Sequence, residues 1–237
     1  MEKNTDGEKN MGNLVLGIDD SGRGPLIGPM ILAGILVDAE QETLLKKEGV
    51  ADSKTILHPK RIVLAKTIKQ NSYAHHITKT FPTELDNSLQ TGTNLNTLEA
   101  KKVAEIINEI NKGKYLKEKI KVIIDCPSVN TTAWKNTLIK FITNTSNLII
   151  YCEHKADVNH VSVSAASILA KVTREEEVAK LKEKYGDLGS GYPSDPTTKA
   201  FLKAHGHSLS NAGIFRKTWS TWKKLFPNND EKQTKLF

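Results

Sequence analysis

Two adjacent carboxylates, Asp19 and Asp20, stand between a short apolar run (Leu14, Val15, Leu16, Ile18) and the stretch Ser21-Gly22-Arg23-Gly24-Pro25. The apolar run reads as a strand buried on both faces and ending at the two acids. Neighbouring carboxylates repel, and each resists desolvation unless a cation joins them. The usual cation for clustered carboxylates is a hard divalent metal, Mg²⁺ or Mn²⁺. Glycines on either side of Arg23 let backbone approach a bulky group, while the guanidinium offers a fixed fork of donors to an anion. Together these describe a phosphate-ester site. Taken alone, the motif reads first as an ordinary turn after a strand, because Asp, Ser and Gly favour turns.

Two further acids change that balance. Asp125 closes a second buried-type run, Val122-Ile123-Ile124, as Asp19 closes the first. Asp157 lies in Glu153-His154-Lys155-Ala156-Asp157, just before a helix rich in Ser and Ala (Ser162, Ser164, Ala165, Ala166, Ser167). In open α/β sheets, sites gather beyond the carboxyl ends of neighbouring strands. If the two strands are neighbours, Asp19 and Asp125 face one cleft, and small residues let the following helix hold Asp157 nearby. Each Asp alone serves as well as a cap or turn residue; four in one cleft call for a metal.

The elements that must position these acids follow from apolar patterning. Met30 to Val37 is a second apolar run, close enough to the first to form a hairpin, and Ser72 to Thr78 is a third strand. A short helix is expected around Thr43 to Glu48, and another from Pro59 to Lys69. From Asn94 the pattern is helical, with Leu95, Leu98, Val103, Ile106, Ile107 and Ile110 on one face and Asn94 or Asn96 as cap. Lys121 to Asp125 and Leu148 to Cys152 are strands joined by a helix around Trp134 to Ile142, a parallel, right-handed unit. An antiparallel opening followed by a parallel unit gives an α/β fold with a five-stranded mixed sheet flanked by helices.

At 237 residues the chain is one large domain, or one domain with a small appendage. No apolar run approaches the roughly 18–20 residues of a membrane span. Met1 to Asn13 is polar and mixed in charge, unlike a signal or transit peptide, and reads as a disordered tail. Cys126 and Cys152 fit buried free thiols in a reducing cytoplasm. The seven histidines show no zinc-ligand spacing. The net charge of +7 favours a polyanionic partner. From Pro196 to Asn229 there is no Asp or Glu, while Lys199, Lys203, Arg216, Lys217, Lys223 and Lys224 alternate with Phe201, Phe215, Trp219, Trp222 and Phe226. This reads as a nucleic-acid surface, or as a solvated face whose aromatics pack inward; both can hold together.

The motifs GIDDSGRGPLIGPM, ADSK, VIID, EHKAD with SVSAASILAKVTRE, and GSGYPSDPTTKAFL resemble ribonuclease HII, most closely its archaeal form, in order and spacing from about Leu14 to Trp219. The resemblance implies an RNase H-like domain over 14–195 and a basic helical C-terminal part over 196–226, between tails 1–13 and 227–237. It implies endonucleolytic cleavage of RNA in RNA–DNA hybrids and at single ribonucleotides in duplex DNA, leaving 5′-phosphate and 3′-hydroxyl ends. By position, Asp19, Asp20, Asp125 and Asp157 become the catalytic, metal-binding carboxylates for two divalent ions, Mg²⁺ or Mn²⁺. Gly22, Arg23 and Gly24 become the turn that reads the ribose 2′-hydroxyl and adjoining phosphate. Tyr192 matches the tyrosine that packs on the sugar, and Lys54 and Lys171 match basic positions near substrate phosphates.

One residue departs from the pattern: the second carboxylate is normally Glu, and here it is Asp20. Its reach is shorter by about 1.5 Å, which leaves a weakly active or inactive hybrid-binding module as the alternative reading. A different nuclease or integrase on the same fold would share the acids and lack the turn and Tyr192. Near the C-terminus, Gln233, Leu236 and Phe237 resemble the start of a sliding-clamp peptide. No partner subunit is demanded, and a monomer is expected.

Overall fold

The computed structural model describes residues 13–227. The tail read over 1–13 and the segment containing Gln233, Leu236 and Phe237 lie, but for Asn13, outside these residues. Five strands form one sheet in the order β3-β2-β1-β4-β5. They are β1 (Leu14–Ser21), β2 (Met30–Val37), β3 (Ala74–Thr80), β4 (Ile120–Asp125) and β5 (Leu148–Glu153). The first hairpin is antiparallel, as is β2 with β3, whereas β1, β4 and β5 run parallel. The mixed sheet expected from the sequence is therefore present.

One boundary differs in a way that matters. The first strand does not stop at the acids: Asp19, Asp20 and Ser21 pair with Ala33, Leu32 and Ile31 of β2. The β2 ladder satisfies their backbone groups, so the charges ride on a strand that outruns β4. Strand alternation then sends Asp19 and Asp20 to opposite faces of the sheet end.

Each face has its own helices. α1 (Ala39–Lys47), α2 (His58–Gln70) and α7 (Val161–Tyr185) cover one side, where Ile31, Ala33, Ile35 and Val37 pack with Leu45, Leu64, Ile68, Ala166 and Leu169. α4 (Leu95–Ile110) and α5 (Thr131–Ile139) cover the other, where Leu16, Ile18, Leu32 and Ile124 meet Val103, Ile106, Trp134 and Leu138. The alternation along β2, with Leu32 and Leu36 on one side and Ile31, Ala33 and Ile35 on the other, builds both cores from one strand. Asn94 caps α4, its side chain accepting from the Thr97 N–H at 2.9 Å.

The small residues of α7 do what their size allows. A Cβ at Gly17 would sit 2.3 Å from the Ser162 carbonyl carbon, so β1 and the start of α7 meet backbone to backbone. This close approach brings the α6–α7 corner over the strand ends; α6 is Ala156–Asn159. Its N-cap, Lys155, holds a left-handed conformation (φ 58) that costs a non-glycine residue on the order of 1 kcal/mol.

The remaining helices form a third cluster. α8 (Pro196–His205) and α9 (Ser220–Leu225) bury Phe201, Leu202, Phe215 and Trp222 against Leu26, Ile27 and Leu188. α3 (Pro82–Gln90), unassigned from the sequence, anchors this part: Asp86 accepts from the backbone N–H of Lys217 at 2.7 Å and of Thr218 at 2.9 Å. The aromatics of the basic stretch thus pack inward. Lys199, Lys203, Lys223 and Lys224 are exposed, but Arg216 is not: it is 0% exposed and belongs to the interior, not to the surface charge it was counted with. Cys126 and Cys152 are free thiols, buried and half-buried. Among the described residues no helix is long and apolar enough to cross a membrane.

Candidate active site

The strand ends bring the acids together. Ile18 of β1 lies beside Ile124 of β4, so Asp19 and Asp125 follow at the ends of neighbouring parallel strands. Asp125 is tied to the next acid, its Oδ1 accepting from the Ala156 N–H at 2.9 Å, one residue before Asp157. Asp157 is buried and forms an ion pair with the exposed Lys54 at 3.3 Å. Asp19 faces α7, next to Ser167, whose hydroxyl lies 2.9 Å from that of Ser53. Asp20 faces the opposite side, toward Arg23 and Glu99.

Crowding leaves its mark on protonation. Burial, reinforced by the Asp20 charge, holds Asp19 well above the usual carboxylate range. Burial pushes Asp20 up to about 6, with Arg23 opposing and Asp125 adding to the rise. Asp125 is raised as well, by burial, against the pull of the Ala156 N–H. Asp19, Asp20 and Asp125 thus each resist ionisation, burial being the first cause in all three.

The Gly22-Arg23-Gly24 turn adjoins them. Gly22 has φ +84, and a Cβ there would sit 2.4 Å from the Arg174 side chain and 2.8 Å from the Pro29 carbonyl oxygen. Gly24 is open by comparison, with Cε1 of Tyr192 as the nearest atom at 3.6 Å from a Cβ built there. Arg23 spends two donors within the protein, Nε on Glu99 at 2.9 Å and Nη2 on Asn96 at 2.8 Å, while its side chain stays 39% exposed. Beneath the turn lies Arg216, donating to the carbonyl oxygens of Arg23 at 2.8 Å and of Gly28 at 2.9 Å. Tyr192 is exposed and lies over the Arg174 guanidinium, 5.3 Å from ring centre to carbon.

All ten residues singled out from the sequence line one cavity of about 240 Å³: Asp19, Asp20, Asp125 and Asp157, then Gly22, Arg23 and Gly24, then Lys54, Lys171 and Tyr192. A larger groove of about 700 Å³ continues from it past Ser21, Lys171 and Tyr192 along α7. No His is among the residues lining the smaller cavity. Among the described residues, no three His, Cys, Asp or Glu side chains are drawn close enough to cage an ion as they stand. The donor set still suits a hard cation: four carboxylates around one polar cavity, at adjoining strand ends, with three of them resisting ionisation.

Four neighbours were not assigned to the site from the sequence: Asn96, Glu99, Arg174 and Arg216. Glu99 had a visible signal. It falls on the buried stripe of α4, four residues before Val103, where an apolar residue is expected. Arg174 and Arg216 had none, because a sequence does not say which arginines point inward.

Comparisons with known proteins agree with this geometry. The model of the family described as Ribonuclease HII matches residues 16–222. A Ribonuclease HII of Methanococcus maripaludis is 38% identical over 229 residues, which are 95% of this chain and 92% of that protein. The crystal structure of the ribonuclease H2 from Pyrococcus horikoshii OT3 is 33% identical with a TM-score of 0.77, covering 94% of this chain and 100% of that one. The RNase HII in the PCNA:RNase HII complex from Archaeoglobus fulgidus is 35% identical with a TM-score of 0.75, covering 87% and 95%. The chain belongs to the ribonuclease HII family, endoribonucleases that hydrolyse the RNA strand of RNA–DNA hybrids.

Proposed function

We propose that this endoribonuclease also incises duplex DNA at single embedded ribonucleotides, using two divalent ions held by Asp19, Asp20, Asp125 and Asp157. The observation that carries the reading is the shared cavity, in which the four acids and the six substrate-reading residues line one wall-to-wall space. Bound there, Mg²⁺ or Mn²⁺ would neutralise the phosphate, activate a water and stabilise the departing 3′-oxygen, leaving a 5′-phosphate.

The chain's own residues select the substrate. Backbone at Gly22 and Gly24 approaches the ribose, and the 2′-hydroxyl is the one group that separates it from deoxyribose. Tyr192 offers an aromatic face to the sugar, steadied by Arg174. Lys54 and Lys171 flank the acids and meet the phosphates on either side. Lys199, Lys203, Lys217, Lys223 and Lys224 add affinity without reading sequence. By analogy with the Archaeoglobus complex, the segment with Gln233, Leu236 and Phe237 binds a sliding clamp.

A duplex carrying one ribonucleotide, incubated with Mn²⁺, tests the proposal. Incision beside the ribonucleotide is expected. Binding without incision would point to a hybrid-binding module disabled by Asp20, and cleavage without preference to a nuclease that lacks the reading turn.

A further inference from the structure

Glu99 lies beside the acids with a role that the reading above does not supply. It sits on α4, 1% exposed, and its two oxygens have different fates. Oε1 accepts from Arg23 Nε at 2.9 Å. Oε2 is buried with no hydrogen-bond partner. Anchoring Arg23 does not call for a second carboxylate oxygen, since the neutral Asn96 serves Nη2 of the same arginine at 2.8 Å. A buried carboxylate oxygen without a partner is unfavourable, and native proteins keep few of them.

That oxygen has a place to act. Glu99 lines a second, small cavity with Asp19, Asp20 and Asp125, offering about 10 Å³, room for one water. Asp20 and Glu99, both on this face, can give such a water two of the polar partners it needs. Asp20 points to this same face of the sheet. A glutamate at position 20 would carry its carboxyl about 1.5 Å further along it. Mg²⁺ and Mn²⁺ sites commonly keep water among their ligands, held from behind by outer carboxylates.

We infer that Glu99 is an auxiliary carboxylate of the metal centre, reaching an ion through one water in this cavity and standing in for the methylene that Asp20 lacks. The inference rests on the assignment of Asp19, Asp20, Asp125 and Asp157 as metal ligands. It makes Glu99 a positioning residue, with one oxygen on the reading turn and the other on the ions.

Calorimetric titration of the full chain with Mn²⁺, without nucleic acid, tests this. Glu99→Gln is expected to weaken Mn²⁺ binding about tenfold. With Asp20→Glu already in place, the same change should cost at most about twofold, because the longer side chain makes the water bridge redundant. Arg23→Ala breaks the same ion pair yet removes a positive charge, so it should leave Mn²⁺ affinity equal or tighter. An unchanged affinity in Glu99→Gln, an equal loss in both backgrounds, or a matching loss in Arg23→Ala would each overturn the inference. Should Glu99→Gln fail to fold, Glu99→Asp, which keeps the charge and shortens the reach, takes its place in the same comparison. Asp19→Asn separates the two levels: if it binds Mn²⁺ as the unsubstituted chain does, the ligand assignment itself falls, and the role of Glu99 with it.

Discussion

Arg216 donates through Nη2 to the carbonyl oxygen of Gly22 at 2.6 Å, joining residues 194 positions apart. The same guanidinium holds the carbonyls of Arg23 and Gly28, so one buried cation fixes two points of the turn beside the acids and a third just beyond it. Burial, with Arg174 close by, pulls its pKa down to about 9, and it stays charged at neutral pH. Arg216→Met preserves bulk and strands three carbonyls. It should destabilise the protein by about 3 kcal/mol or more, with cleavage falling further than the unfolded fraction explains. Arg216→Lys restores charge without the fork and should recover less than half of the loss. Urea unfolding of both variants checks this; a change below about 1 kcal/mol for Arg216→Met would contradict it.

The two glycines of the turn should separate fold from function. Gly22→Ala places a Cβ against Arg174 and Pro29 at positive φ and should cost on the order of 1–2 kcal/mol. Gly24→Val meets only Tyr192, so its melting temperature should hold while cleavage is blocked by loss of close approach. Full cleavage by Gly24→Val would remove the turn from substrate recognition.

Protonation and metal binding should compete. Asp20 titrates at about 6 and Glu99 at about 7, both raised mainly by burial. A carboxyl raised on folding binds more protons in the folded than in the unfolded state. These groups therefore stabilise the metal-free protein below about pH 4, and that contribution is lost as pH rises through 6 to 7. Mn²⁺ affinity should rise over the same interval, with protons released on binding. Calorimetry in buffers of different ionisation enthalpy would reveal the release; a flat affinity from pH 5 to 8 would refute it. Asp20→Asn should raise the melting temperature of the metal-free protein at pH 7, because it removes a repelled charge.

Restoring the longer acid should alter metal choice. Mg²⁺ tolerates little departure from octahedral geometry near 2.0–2.1 Å, so Asp20→Glu should raise the Mg²⁺-supported cleavage rate by about tenfold and the Mn²⁺-supported rate by less. Rates that stay unchanged in both metals would show that Asp20 needs no compensation.

Surface lysines should contribute charge alone. Replacing Lys199, Lys203 or Lys223 singly by Ala should weaken hybrid binding equally across sequences. Each should reduce the slope of log K against log salt by about one. A sequence-dependent effect would give that lysine a reading role.

Much of this architecture was legible because apolar runs announce it. VIID and MILAGILV fall where strands form, and the stripe from Leu95 to Ile110 where α4 forms. Asp19, Asp20 and Asp125 stood out because charge at a buried strand end is unusual, and Asp157 by its place just before a helix of small residues. Three features were not legible. β1 continues through Asp19 and Asp20 because ladder bonds to β2 outweigh poor strand propensity, a tertiary effect. α3 is short, and its Asp86, polar in sequence, is buried by accepting two backbone N–H groups from the far end of the chain. Arg216 looked like one more surface cation, since its carbonyl partners belong to residues that sequence distance hides.

The bridge between Ile27 and Phe215, beside the Arg216 bonds, ties the first thirty residues to the last. On a ribosome adding about 5–20 residues per second, Gly22 waits roughly 10–40 s for a partner that is 194 residues away. Without Arg216 in place, the carbonyls of Gly22, Arg23 and Gly28 would lose this donor. Closure of the turn beside the acids thus depends on contacts of very long sequence separation, the kind that form late in folding.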